Sequence, residues 1–438
     1  PFVSNQAVYC KVRFLYRLML QCWTHMIVVS TYTCFACARR VQSENLPRFA
    51  QSLLPSVKRY PYKLPRSMVS ARLHRRSVSP TMAAAPTKGS ILIVGAGCTG
   101  AAVSLRLRQQ LGSAASIQVW EKARGAGGRF TTSRDAYPNG MRADMGAQYA
   151  SVDPEDAESA AVMQALVENG AAELVNPERL SENAERPFEF LHYRGTEGQN
   201  GIVKAMLSSA NAEVFYKRRV KRLDLRGARW RAVAYDGASK DFDSVVLCVP
   251  GKGPGGDNLN KIHGNWENCL TANQQDCLET PHDCRYSVAL WLGEGHQEAL
   301  SAFFADTLEK KVKSKVIELL CWQSRKDGEP LDGPQVIVVH TAQGVKGSKR
   351  QMEPRMISEA CNFLGIPNSA RAVTSTKIIT WFQSQVISSK PSKGCVVASR
   401  QPPLVLAGDY CAASTFTGCL KSASAAASEV LALLANKN

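Results

Sequence analysis

Residues 90–94, Ser-Ile-Leu-Ile-Val, form a short unbroken apolar run rich in β-branched residues, the pattern of a strand buried on both faces of a parallel sheet. A helical pattern follows after a glycine-rich turn, and a second run of the same kind, Ser-Ile-Gln-Val-Trp, occupies 116–120. Further strands are predicted at 213–216, 219–225, 229–235, 242–249, 285–292, 315–322, 336–341, 372–381 and 403–407. Helices are predicted at 154–170, 202–209 and 353–364, with a long Ala-rich one over 419–434. Residues 251–256, Gly-Lys-Gly-Pro-Gly-Gly, read as a linker. There are no internal repeats, and the order of elements gives an α/β class.

The turn between the first strand and helix is Gly95-Ala-Gly97-Cys-Thr99-Gly100. Gly95 permits the tight turn, Gly97 allows a pyrophosphate close to the backbone, and Gly100 lets helix and strand approach, so that the first free N–H groups of the helix face phosphates. The second strand ends in Glu121, at about the 20-residue offset where a carboxylate meets a ribose 2′-hydroxyl. An acid there also disfavours a 2′-phosphate. Two further motifs follow in order. Gly127-Gly128-Arg129 pairs two glycines that allow close main-chain approach with a guanidinium able to fork onto phosphate oxygens. Near the other end, Gly408-Asp409 closes a strand just before the Ala-rich helix.

These motifs, with Asp144-Met-Gly146-Ala-Gln148-Tyr149, 242–250 (Phe-Asp-Ser-Val-Val-Leu-Cys-Val-Pro), 333–341 and 381–386, resemble the FAD-dependent amine oxidase superfamily, and within it the small renalase-like members. The resemblance runs over roughly residues 89–438. It implies a Rossmann-like FAD-binding domain, amine oxidase or hydroxybenzoate hydroxylase-like, with an inserted mixed-sheet substrate domain. The FAD-binding part would be discontinuous, 89–150, 201–255 and 400–438, and the substrate domain would comprise 151–200 and 256–399, its sheet roofing the flavin. Cofactor contacts carried over by position are Gly95, Gly97, Thr99, Gly100, Glu121, Gly128, Arg129, Gln148, Tyr149, the backbone at Val220, Gly408 and Asp409. The terminal helix would point its N-terminus at the flavin, favouring negative charge.

Charge is distributed unevenly. The chain of 438 residues has a formal net charge of +17, but residues 1–88 carry 14 Lys or Arg and one acid, Glu44, while the remaining 350 carry 40 basic and 36 acidic residues. The body is nearly balanced, so nucleic acid is not an expected partner. Residues 68–88, with Arg72, Arg75, Arg76, several Ser and no acid, read as an organelle transit peptide, plastid or mitochondrial; a cytoplasmic protein starting at Met82 is the alternative. Residues 18–38 lack charge but contain Gln21, His25, Ser30 and several Thr, a poor membrane helix, and no integral membrane span is expected.

Of 14 cysteines, four fall in 1–88 and ten are scattered without paired spacing, which suits a reducing compartment. Cys34-Phe-Ala-Cys37 stands alone, and no metal-ligand spacing is present. Neither Cys395 nor Cys411 sits in the context of a covalent flavin link, so non-covalent FAD is expected. No nucleophile grouping is visible either. His340 closes an apolar strand and reads as a core or substrate-wall residue; Trp381 reads equally as active-site wall or core.

From the resemblance, the expected activity is oxidation of misreduced dihydro-NAD(P) isomers to NAD(P)+, with O2 as acceptor and H2O2 as product. A flavin amine oxidase acting on a small amine, and a non-catalytic FAD-binding module, remain as alternatives.

Overall fold

The computed structural model describes residues 89–134, 140–180, 190–256, 258–367, 369–388 and 393–436. The basic segment 1–88, with its transit-peptide and CxxC readings, lies outside the described residues.

Ser90–Val94 and Ser116–Trp120 pair in parallel at the centre of a six-stranded sheet, flanked by Ser244–Leu247, Pro403–Leu406 and Val396–Arg400 on one side and Glu213–Phe215 on the other. Both faces of the first strand are covered, as its unbroken apolar run requires. Ile91 and Ile93 pack with Ile117, Val119, Val103, Leu107, Leu420 and Val430. Leu92 and Val94 pack on the opposite side with Trp120, Trp230, Trp266, Leu404 and Leu406. The segment expected as one strand over 242–249 is divided: Ser239–Phe242 belongs to a three-stranded antiparallel sheet, and Ser244–Leu247 enters the central sheet.

Gly100 explains how helix Cys98–Leu111 lies so close to the sheet. A Cβ there would stand 2.0 Å from the Gly95 carbonyl oxygen and 3.4 Å from the Cys248 Cβ. Gly100→Ala must therefore push the helix off the strand; the expected cost is about 1–3 kcal/mol, as for other overpacked cores. Thermal unfolding of the flavin-free protein measures it, and an unchanged midpoint would refute the packing role.

The inserted sheet has the order Glu309–Lys311, Ile317–Trp322, Gln335–Thr341, His282–Leu292, Val373–Val386. All its pairings are antiparallel; the mixed pairing expected for it is found in the central sheet, whose Val396–Arg400 edge runs antiparallel. One face packs under helix Lys349–Phe363 through Met352, Met356 and Ala360. That helix begins about one turn before the expected start because Ser348 and Gln351 form a capping box. The other face, with Ala289, Trp291, Val336 and Val338, rests on Ala143 and Met145 of the motif that follows Arg129.

Two boundaries differ from the sequence reading. Helix Ala157–Glu168, assigned to the insertion, buries Met163 and Leu166 in the same core as the first strand. Val396–Arg400 likewise belongs to the central sheet. The terminal helix Phe416–Ala435 is, among the described residues, the one helix long and apolar enough to cross a bilayer. Its Phe416, Leu420, Ala423, Ala427 and Val430 are instead buried in that core.

Candidate active site

A cavity of about 1060 Å³ opens at the carboxyl ends of the first two strands and runs to the inserted sheet. It sits at the top of the range of about 300–1,000 Å³ usual for ligand sites. Of the residues singled out from sequence, Gly95, Gly97, Thr99, Glu121, Gly128, Arg129, Gln148, Tyr149, Val220, Gly408 and Asp409 all line it, as do His340 and Trp381. Gly100 does not line it and serves the packing just described.

At the near end the glycines have separable reasons. Gly95 has φ +105°, and a Cβ there would lie 2.6 Å from the Cys248 carbonyl oxygen. Gly97 has an ordinary extended backbone, φ −84° and ψ −174°, and a Cβ on it would meet nothing within 4 Å. Protein packing therefore does not demand glycine at 97; the open space beside it does, if a ligand fills it. No side chain caps the helix at Gly97, which leaves its first N–H groups to the cavity. Gly127 and Gly128 both have positive φ, and this second turn is laid against the first by a bridge between Gly97 and Gly127. Glu121 is set at the rim by two backbone donors: Ala96 N–H to Oε2 and Ala123 N–H to Oε1, each at 2.7 Å. Both oxygens keep a lone pair for ribose hydroxyls.

Midway along the cavity, Arg129 donates to both carboxylate oxygens of Asp409 at 2.6 Å. Burial alone would raise the Asp409 pKa, but the Arg129 charge and the bonds from Arg129 and Ser414 outweigh it and hold the carboxyl below its ordinary value. The terminal helix starts beside this pair, with Thr415 capping Gly418 N–H at 2.9 Å and Thr415, Phe416 and Cys419 on the cavity wall.

The far wall is the inserted sheet. Ser287 stands opposite His340 on one side and Ile379 on the other, with Arg285 opposite Trp381 in the neighbouring row. Trp381 Nε1–H donates to Ser287 Oγ at 2.9 Å and lies 3.2 Å from the Met145 carbonyl, so it both lines the cavity and anchors the sheet to the motif below. Arg285 donates to Glu318 at 2.8 Å. Burial, reinforced by the positive charges of Arg285 and Lys326, pushes the His340 pKa down to about 3. The imidazole is neutral at any physiological pH.

Charge on the lining is lopsided. Lys122, Arg129, Arg218, Arg219, Lys261, Arg285 and Lys311 oppose Glu121, Glu318 and Asp409. Part of this charge is compensated, since Arg129 pairs with Asp409, Arg285 with Asp283 and Glu318, and Arg218 with Asp236, which leaves a smaller cationic excess on the lining. Such a field favours ligands with several phosphates and disfavours cations.

Lys326 was not singled out from sequence. Its ammonium is buried and sits 2.9 Å from Asp144 Oδ2 and 2.9 Å from Gln148 Oε1. Asp144 also accepts from Thr132 Oγ1 at 2.7 Å and from Gln199 N–H at 2.9 Å. Burial works to raise its pKa, yet Lys326 and these donors hold it below the ordinary value. In sequence, Arg325-Lys326-Asp327 reads as a solvated charge run, because nothing local signals that the short helix Gln323–Asp327 turns one lysine inward. Arg285, Lys311 and Glu318 were not singled out either, because cross-strand pairing brings them to the cavity.

The comparisons agree with this arrangement. Residues 93–166 match the family described as an NAD(P)-binding Rossmann-like domain. Mouse renalase is 24% identical over 355 residues, covering 76% of this chain and 96% of its own length. The chain is renalase-like. Among solved structures, wild-type putrescine oxidase bound to putrescine superposes with a TM-score of 0.53 at 12% identity, covering 78% of this chain and 99% of its own. A structure named as a protoporphyrinogen oxidase from Exiguobacterium gives 0.55 at 10% identity over 79% and 99%. The renalase-like chain thus has the fold of the FAD-dependent amine oxidases. The cradle fits FAD on its own evidence: the open space at Gly97, the uncapped helix and the Glu121 carboxylate correspond to pyrophosphate and ribose.

Proposed function

We propose that this protein is a non-covalent FAD oxidase that turns misreduced dihydropyridine isomers of NAD(P)H into NAD(P)+, with O2 as the final acceptor. The observation that carries the reading is the cationic excess on one continuous cavity, which suits a phosphate-bearing substrate beside a phosphate-bearing cofactor and repels an ammonium. FAD, when bound, would supply two-electron chemistry, with the substrate carbon oxidised by loss of a hydride and O2 reduced to H2O2 on uptake of one proton from solvent.

The chain's own residues bind, orient and shield. Glu121 and the open N–H groups of helix Cys98–Leu111 hold the ribose and pyrophosphate. Arg129 and Asp409 tie the cradle floor to the terminal helix, and the inserted sheet forms the far wall of the site. Arg285, held by Asp283 and Glu318, and Lys311 stand on the wall that substrate phosphates would face. Neutral His340 takes up no substrate proton. None is needed, since loss of a hydride leaves an aromatic pyridinium. Release of 1–88 on import into an organelle belongs to the same proposal and rests on the composition of that segment alone.

The purified protein, mixed anaerobically with borohydride-generated NADH isomers, is expected to lose its flavin absorbance in one turnover while NAD+ forms. Retention of the oxidised spectrum with these isomers, alongside bleaching by small amines, would replace this reading with an amine oxidase. Retention with every donor would make the protein a non-catalytic FAD binder.

A further inference from the structure

Resting on the oxidoreductase reading only for its last arm, we infer that His340 is locked as the Nδ1–H tautomer, a fixed hydrogen-bond donor into the substrate end of the cavity, by the chain Asp144–Lys326–Gln148. Lys326 carries only donors, so the Gln148 amide atom 2.9 Å away must be the oxygen. The amide orientation is thereby fixed by donor and acceptor chemistry. The Gln148 NH2 then faces the other way, with one hydrogen toward the backbone carbonyls of Asp144 at 2.6 Å and Gly146 at 3.3 Å and the other toward His340 Nε2 at 3.0 Å. An amide NH2 cannot accept, so Nε2 bears the lone pair. In a neutral ring the proton is then on Nδ1.

The ring stays neutral because of what surrounds it. Burial is the main cause, and Arg285 on the neighbouring strand and Lys326 below add to it; the acids Asp283 and Glu318 are both bonded to Arg285, and Asp144 to Lys326. His340 borders the cavity, so the Nδ1–H is offered to a ligand acceptor such as a carbonyl oxygen. A free histidine side chain in water prefers the opposite tautomer, which gives the lock a readable signature. His340 thus supplies orientation rather than acid–base chemistry, and Lys326 and Gln148 are positioning residues.

The test is long-range 1H–15N NMR of the full-length flavin-loaded protein labelled at histidine, with His340 assigned by comparison with His340→Phe. The expected spectrum is the Nδ1–H pattern, unchanged between pH 5.5 and 8.5. In Gln148→Leu, which removes the donor to Nε2, the Nε2–H form should become the larger population. A wild-type ring in the Nε2–H form, or one that titrates in that range, overturns the inference; so does an unmoved tautomer in Gln148→Leu. If Gln148→Leu fails to fold, Gln148→Glu serves, since a carboxylate that accepts from Nε2–H must reverse the tautomer. The role in orientation is read as KM against kcat: His340→Asn, whose amide replaces the Nδ1–H, should hold KM within threefold, whereas His340→Phe should raise it tenfold or more with kcat less affected. The spectrum reports the ring whether or not a dihydropyridine is oxidised, so failure of the redox reading and failure of the lock are told apart.

Discussion

Lys326→Met is expected to destabilise the protein by about 3–5 kcal/mol at neutral pH, the usual result of breaking a buried ion pair by removing one partner. The reason is that Asp144 is left ionised and almost fully enclosed, with Thr132 and Gln199 supplying hydrogen bonds but no charge. The pH dependence follows from linkage. In the native protein the Asp144 pKa lies below its unfolded value, so its contribution is present above the unfolded value and is lost as pH falls through the folded one. In the variant the Lys326 charge no longer offsets burial and only the hydrogen bonds from Thr132, Gln199 and Gln323 oppose it, so the folded pKa moves up and folding of the variant is relatively favoured as pH drops. The deficit should be largest near pH 7 and shrink below about pH 4. Urea unfolding at pH 7 and pH 4 measures both limbs. An Asp144→Asn/Lys326→Met double variant should recover much of the loss at pH 7, and equal deficits at the two pH values would refute the pairing argument.

Gly97→Val should separate cofactor binding from folding. The backbone there is extended and the space around a Cβ is empty, so the flavin-free variant is expected to unfold within about 0.5 kcal/mol of the parent, as for a surface substitution. FAD affinity should fall by at least a hundredfold, about 2.7 kcal/mol, because the new side chain occupies the approach to the pyrophosphate. The parent's unfolding midpoint should climb with added FAD and the variant's should not. A variant that purifies yellow with unchanged affinity would remove Gly97 from the cradle.

The contrast between Gly97 and Lys326 marks what could be read in advance. The cradle was legible because its chemistry is local: a glycine turn between strand and helix, and a carboxylate at a set distance along the chain, survive in one dimension. Eleven of the twelve cofactor positions line the cavity, and the twelfth, Gly100, stands where strand and helix meet, as its role required. The substrate wall was not legible because it is made by cross-strand register. Arg285 faces the cavity only because it pairs with Trp381, and Glu318 because a bulge between Ile317 and Leu319 shifts the strand. The all-antiparallel insertion and the helix Ala157–Glu168 packed into the central core likewise follow from long-range contacts that apolar runs do not encode.

Arg129 and Asp409 are 280 residues apart, and that distance orders events at the ribosome. At about 5–20 residues per second, roughly a quarter of a minute to a minute passes between synthesis of the guanidinium and of the carboxylate that pins it. Through that interval the emerging chain has the glycine turns but neither the floor nor the terminal helix, so a nascent polypeptide has no complete flavin cradle. Complete assembly of the cradle therefore waits on synthesis of Asp409.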